Sequence, residues 1–201
     1  MDFRRLKEED TQMFCDLILD MYAHLDSIEW FTPMPFDFES VKAMINDDRF
    51  AIFGMFDGPF LCAVSSMDYK CGKLIGVIDF PNVDTDKLVE FGFVMVHSRY
   101  RGNGIMKCMV REMCEIAKNE GFLWAFSKVH KDNLASSVSF KRTGFLKMDN
   151  YNKPVKTKKI KFLLDSAVLN EGAISSIETK LKNSGNADII NVDYEIYVKK
   201  L

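Results

Sequence analysis

The chain has 201 residues, 47% hydrophobic and 28% charged, and its 27 Lys and Arg against 29 Asp and Glu leave a net charge of −2 at pH 7. That balance excludes a polybasic nucleic-acid or membrane-surface protein held by bulk charge, and 11 Gly with 5 Pro exclude collagen-like and disordered classes. One domain over residues 1–201 is expected, since a chain of this size buries roughly 70% of its unfolded surface and needs neither disulfide nor metal to fold.

Cys15, Cys62, Cys71, Cys108 and Cys114 are odd in number, form no CxxC pair and stand at no zinc spacing from His24, His97 or His130. They read as reduced thiols of a cytoplasmic protein without a metal site. The segment 1–10 mixes both charge signs and has no apolar region of a secretory signal. The longest apolar stretches, 51–56 and 91–96, are of strand length and far short of the roughly 20 residues of a membrane helix.

In chain order, 3–6 reads as a short strand. Met13, Phe14, Leu17, Ile18, Met21, Tyr22 and Leu25 then recur at helical spacing. An aromatic segment with two prolines, 30–36, breaks the pattern before Val41, Met44 and Ile45 suggest a second short helix. Residues 51–56, Asp57-Gly58 and 60–64 form a hairpin pattern. After a variable stretch through Cys71, Ile78 and Thr85, residues 88–97 are apolar on both faces and predict a central strand. Ile105, Met106, Met109, Val110, Met113, Ile116 and Ala117 mark the buried stripe of the next helix, which Gly121 ends.

A strand over 122–129 follows, then a short helix over 134–143 that Asp132 or Asn133 caps and Gly144 terminates. Segments 145–151 and 155–164 look extended, Ile174, Ile177 and Leu181 hint at a helix, and the alternation of Ile190, Val192, Tyr194, Ile196 and Val198 predicts a last strand that rejoins the sheet. The order of elements implies a layered α/β arrangement. The lysines at 153, 156, 158, 159 and 161 read as a solvated run, with no aromatic residues among them to stack on bases.

Arg99-Tyr100-Arg101-Gly102-Asn103-Gly104 lies between the central strand and the helix. A glycine-rich turn at a helix N-terminus gathers backbone N–H groups at the positive end of the dipole, which suits phosphate oxygens. Taken alone it is equally a flexible strand-to-helix turn. It is followed, one strand later, by Asn133-Leu134-Ala135-Ser136, Phe140 and Gly144-Phe145. With these two elements together the chain resembles the GNAT acetyltransferase superfamily, well over 88–145, by element order over 3–64, and poorly over 150–201, an atypical C-terminal segment ending in a strand.

The resemblance implies a mixed central sheet whose two parallel strands splay apart, flanked by helices, with acetyl-CoA as co-substrate in the notch. Its diphosphate would rest on Arg99, Arg101, Gly102, Asn103, Gly104 and Met106, the last replacing a third glycine common in relatives. Val94 and Val96 match positions whose main chain pairs with the pantetheine arm, and Asn133 and Phe140 match cofactor contacts beyond the second strand. The implied chemistry is attack of a primary amine, on a small molecule or peptide, directly on the thioester. Glu90, six residues before Val96, is the candidate base. Alternation sets it on the face of Val94 and Val96 unless a β-bulge, usual in relatives, reverses the parity. Burial would raise its pKa.

Phe140 departs from relatives that carry Tyr, whose hydroxyl meets the departing sulfur. Tyr100, Tyr151 or a water would have to substitute, or the chain is a non-catalytic acyl-CoA-binding sensor or interaction module. A phosphate-binding domain unrelated to CoA remains a third reading, in which Asn133 and Glu90 have no part. His97 and His130 end the two strands beside the notch and are candidate catalytic or merely hydrogen-bonded residues. Trp30, Phe31, Phe36 and Phe38 are read either as an aromatic acceptor pocket or as a loop pinned to the core. The last 50 residues cap the acceptor site, pair with another subunit in a homodimer, or complete the sheet.

Overall fold

The change from helical spacing to strand alternation is realised in a computed structural model that describes residues 1–27, 30, 34–70, 84–156, 168–183 and 189–201. Its elements are β1 (Asp2–Arg5), α1 (Thr11–Ala23), α2 (Phe38–Ile45), β2 (Phe50–Asp57), β3 (Phe60–Asp68), β4 (Leu88–Val96), α3 (Ile105–Asn119), β5 (Trp124–His130), α4 (Leu134–Arg142), β6 (Leu146–Lys156), α5 (Glu171–Asn183) and β7 (Ile189–Lys200). Phe31, Cys71, Ile78 and the lysines at 158, 159 and 161 lie outside the described residues, as does most of the extended segment expected over 155–164.

The seven strands form one mixed sheet in the order β1-β2-β3-β4-β5-β7-β6, antiparallel throughout except for β4 beside β5. The last strand does rejoin the sheet, and it does so by inserting between β5 and β6. Asp57 pairs with Phe60, so the hairpin loop is Gly58-Pro59, with Gly58 at φ 58°. Glycine tolerates that angle, and the ring of Pro59 holds the second loop position near −65°.

Helices cover both faces. From α1 and α2, Leu17, Ile18, Tyr22, Val41 and Ile45 bury against Ile52, Val64 and Met95. On the other face, Val110, Met113 and Ala117 of α3 and Phe140 of α4 bury against Phe53, Phe91 and Ala125. Each such side chain taken fully out of water contributes roughly 1.5–3 kcal/mol before entropy is charged against it. The α3 stripe is the predicted one, with Met106 and Ile116 only half-buried at its flanks.

Two irregularities position the site. Ser65 pairs with Val94 and Met67 with Phe91, so Ser66 alone faces both Gly92 and Phe93, and β4 carries a β-bulge. A Cβ on Gly92 would lie 2.3 Å from Ser66 Oγ, so any larger residue here requires that hydroxyl to move. The bulge reverses the parity expected from simple alternation. Val94 and Val96 pack on the α3 side, Phe93 and Met95 on the α1 side, and Glu90 does not share a face with Val94 and Val96. Second, β4 and β5 pair only at Leu88↔Trp124, Val89↔Ala125 and Glu90↔Phe126, and past Glu90 they part.

Candidate active site

A cavity of about 340 Å³ fills the parting of β4 and β5. Residues directly opposite in neighbouring strands point to one face, so the register Phe50↔Asp68↔Glu90 sets these three side chains on the α1–α2 side. Lys128, two residues beyond the Glu90 partner Phe126, joins them. Val94, Asn133 and Phe140 line the cavity from the α3–α4 side. The space therefore passes through the sheet, with carboxylates toward one end and the start of α4 at the other.

Glu90 is 8% exposed, and Lys128 Nζ lies 2.7 Å from its Oε1. Burial alone would favour the neutral acid, but an ammonium at this distance favours the carboxylate. The ion pair thus opposes the desolvation invoked from sequence. Lys128, Asp68 and Tyr194 line the cavity and were not singled out by sequence reasoning. Lys128 had a faint signal as a lone cation within a strand of mostly apolar residues; Tyr194 and Asp68 enter only through strand register.

The turn expected to cradle phosphate sets two left-handed glycines ahead of α3. Gly102 and Gly104 have φ of 80° and 73°, and a Cβ on either would meet nothing within 4 Å. Gly104 is the N-cap of α3 and brings no side chain to its first amides, which by helix geometry lack intrahelical acceptors. Residues 101–104 are exposed. Asn103 ties the turn through Nδ2, which donates to the carbonyls of Tyr100 and Arg101, each at 3.3 Å. Arg101 is committed elsewhere: Nε donates to Val96 O at 3.1 Å and Nη1 to His24 O at 2.9 Å. Arg99 is exposed, Met106 half-buried against the α3-side core, and Val96 packs on Ile105 and Met109 outside the cavity lining.

Asn133 caps α4, its Oδ1 accepting from Ser136 N at 3.1 Å. Phe140, 1% exposed, meets Phe145 edge-on with centroids 5.1 Å apart. Of the tyrosines considered as proton donors, Tyr100 is engaged at the rim: its hydroxyl donates to Asp57 at 3.0 Å, and hydrogen bonding with the Cys62 thiol and then Asp57 pushes it up to about 12. The side chain of Tyr151 is outside the described residues.

His97 accepts from Arg99 N through Nδ1, and its Nε2 is 3.6 Å from Asp20 Oδ1. The same Asp20 carboxylate accepts from Ser98 N and Oγ, both at 2.7 Å, so His97 belongs to a knot that ties α1 to the turn. His130 lines the cavity, accepts from Asp132 N at 3.2 Å and meets the Tyr194 ring edge-on. Trp30 lines the cavity, Phe36 packs edge-on against Tyr22 and is not in the lining, and Phe38 is exposed at the start of α2. The described cysteines, Cys15, Cys62, Cys108 and Cys114, are free thiols. Among the described residues no helix is long and apolar enough to cross a membrane.

The whole architecture has close counterparts among solved structures. A GNAT-family acetyltransferase from Streptococcus pneumoniae shares 14% identity with a TM-score of 0.63, covering 100% of this chain and 99% of the other. A ribosomal-protein-alanine N-acetyltransferase from Brucella melitensis shares 15% at a TM-score of 0.65, with 100% of both chains covered. A Salmonella typhimurium protein solved with its cofactor acetyl-CoA shares 13% at 0.65, covering 100% and 93%. At these identities the likeness is one of fold. No curated protein matches the sequence. The family model for the acetyltransferase (GNAT) domain matches residues 1–146, nearly three quarters of the chain, and with the split sheet and glycine turn in place the protein belongs to the GNAT acetyltransferase family.

Proposed function

We propose that the protein is an acetyl-CoA-dependent N-acetyltransferase that moves an acetyl group to a primary amine by direct attack on the thioester. The observation that carries this is the opening of the sheet immediately past Glu90, beside a glycine turn whose helix amides have no side-chain cap. The residues present suit an acyl-CoA: Gly102, Asn103, Gly104 and the first α3 amides would hold the diphosphate, and the main chain from Val94 to Val96 would pair with the extended arm. The bound thioester supplies an activated acetyl carbon and a thiolate leaving group.

The chain's own part is positioning and proton removal. An amine held at the α1–α2 end of the cavity is an ammonium at neutral pH, and Glu90, ionised beside Lys128, takes its proton directly or through a water. Main-chain N–H groups that face the gap from the parted strands would polarise the carbonyl. Phe140 cannot donate a proton. A thiol pKa of about 8.5 makes the thiolate a tolerable leaving group without one. The free thiols fit a cytoplasmic setting.

The test is a calorimetric titration with acetyl-CoA, followed by free-thiol release across a library of amines. Wild-type protein should bind and release CoA. Glu90→Gln should bind acetyl-CoA with unchanged affinity and lose turnover by about 100-fold or more. Phe140 favours a second reading, a non-catalytic acyl-CoA-binding module, and binding without release across the library would select it. Absence of CoA affinity would remove both.

A further inference from the structure

The cavity holds an amine of the protein's own. We infer that Lys128 is a self-acetylation site: with acetyl-CoA seated in the notch and no acceptor present, its Nζ takes the acetyl group. This rests on the proposed reading of the notch as the acetyl-CoA site.

Two strands bring this lysine to the reacting end. Glu90 and Phe126 are the last paired residues of β4 and β5, and Lys128, two residues on, stands on the Glu90 face where the gap has just opened. Its backbone stays paired with β7 opposite the fully buried Ile196, so the side chain starts from a fixed strand. That side chain is 21% exposed, lines the cavity and ends 2.7 Å from Glu90 Oε1. An arm that leaves the turn at 102–104 and runs back along Val96 and Val94 points its acyl end at the same apex. Among the described residues Lys128 is the one lysine in the lining.

The contact that pairs the two charges is also a path for the first proton. An ammonium has no free electron pair, so the proton crosses from Nζ to Glu90 Oε1, and the freed nitrogen pair attacks the thioester carbonyl carbon. As the C–N bond forms the C–S bond breaks, the sulfur leaves with the bonding pair, and a second nitrogen proton goes to that thiolate. The products are the CoA thiol and a neutral acetyl-lysine, and Glu90 returns the first proton to water. The ion pair favours the charged forms and resists the first step, which makes this transfer slow beside turnover on a free amine and ties it to the absence of acceptor. Acetylation removes the Lys128 charge from beside Glu90.

In the test the full chain is incubated with subsaturating acetyl-CoA and no amine, and each lysine is followed by peptide mass mapping. Lys128 should gain one acetyl group at least tenfold faster than the 69%-exposed Lys7, whose acetylation reports direct chemical reaction with the thioester. Excess CoA, or Gly104→Ala, should slow Lys128 severalfold and leave Lys7 unchanged. Lys128→Arg, which keeps a cation for Glu90, should lack the fast acetyl at any site. No acetyl on Lys128, a rate no faster than that of Lys7, or a rate indifferent to CoA overturns the inference. If amines of the library release CoA while Lys128 stays bare, the transferase reading stands and this inference falls. If Lys128 is acetylated and no amine is accepted, self-acetylation stands and transfer to a free amine falls.

Discussion

Asp10 is buried and still ionised because Arg4 meets it with two hydrogen bonds, at 2.7 and 2.8 Å, and the Lys7 amide adds a third at 2.8 Å. The Arg4 guanidinium, more than the opposing burial, holds this carboxyl below its ordinary value. A carboxyl depressed on folding contributes stability that is full above its unfolded pKa of about 3.9 and is lost as pH falls through the lower folded value. The urea midpoint should therefore be insensitive to this pair between pH 7 and about 5 and should fall below about 4. Asp10→Asn should lower the midpoint at pH 7, by about 2–3 kcal/mol in stability because Arg4 keeps a third of its side chain in water, and should flatten the acid limb. If the variant's acid limb matches the wild type, the pair is not its source. Neither Arg4–Asp10 nor Glu90–Lys128 was legible in the sequence. Each joins residues on separate strands or on a strand and a helix, and no spacing rule pairs a charge with a partner it meets only after folding. Glu90 itself was singled out by the family resemblance, from its place six residues before Val96.

At the scale of elements, the two glycine positions that shape the site separate cleanly. Gly104 has open space around its missing Cβ but a positive φ, so Gly104→Ala pays only the left-handed penalty of about 1–2 kcal/mol, a fall of about 2–8 °C in melting temperature. Its larger effect should be on acetyl-CoA, whose dissociation constant should rise tenfold or more; a loss of stability alone would detach the turn from cofactor binding. Gly92 is the reverse case, with contact rather than conformation at stake. Gly92→Ala should destabilise by about 1–3 kcal/mol through overlap with Ser66 Oγ. Adding Ser66→Ala, which leaves the neighbouring Cβ at 3.6 Å, should restore most of it in a double-mutant cycle. Periodicity found the helices well, because α3 is amphipathic over its full length with Gly121 at φ 88° just past its end. It did not find the bulge, since one extra residue in β4 is invisible to a rule of period two and shows only when β3 supplies the register.

The whole molecule depends on a segment that the family match does not reach. The match ends at residue 146, yet β7 lies between β5 and β6, pairing Trp124 to His130 on one side and Leu146 to Lys156 on the other. Val192 and Tyr194 enter the core under α1, Tyr197 the core under α3. A chain ending at Lys156 would leave β6 with no neighbour, and it should lose cooperative unfolding by circular dichroism rather than persist as a smaller domain; a sharp transition would show that 1–156 folds alone. Sequence alternation identified β7 as a strand, and a sequence rule has no means of ordering strands that are 60 residues apart.

The parting of β4 from β5 has a further result for the backbone. Each strand keeps a paired side, β4 through β3 apart from the bulge and β5 through β7, so past Glu90 the gap is flanked by two strands that do not pair with each other. Strand edges of this kind template pairing with an added extended chain, and the amide-bearing arm of the proposed cofactor would supply one here. Deuterium should enter the gap-facing amides of residues 91–96 quickly in the bare protein and slowly once that chain is seated.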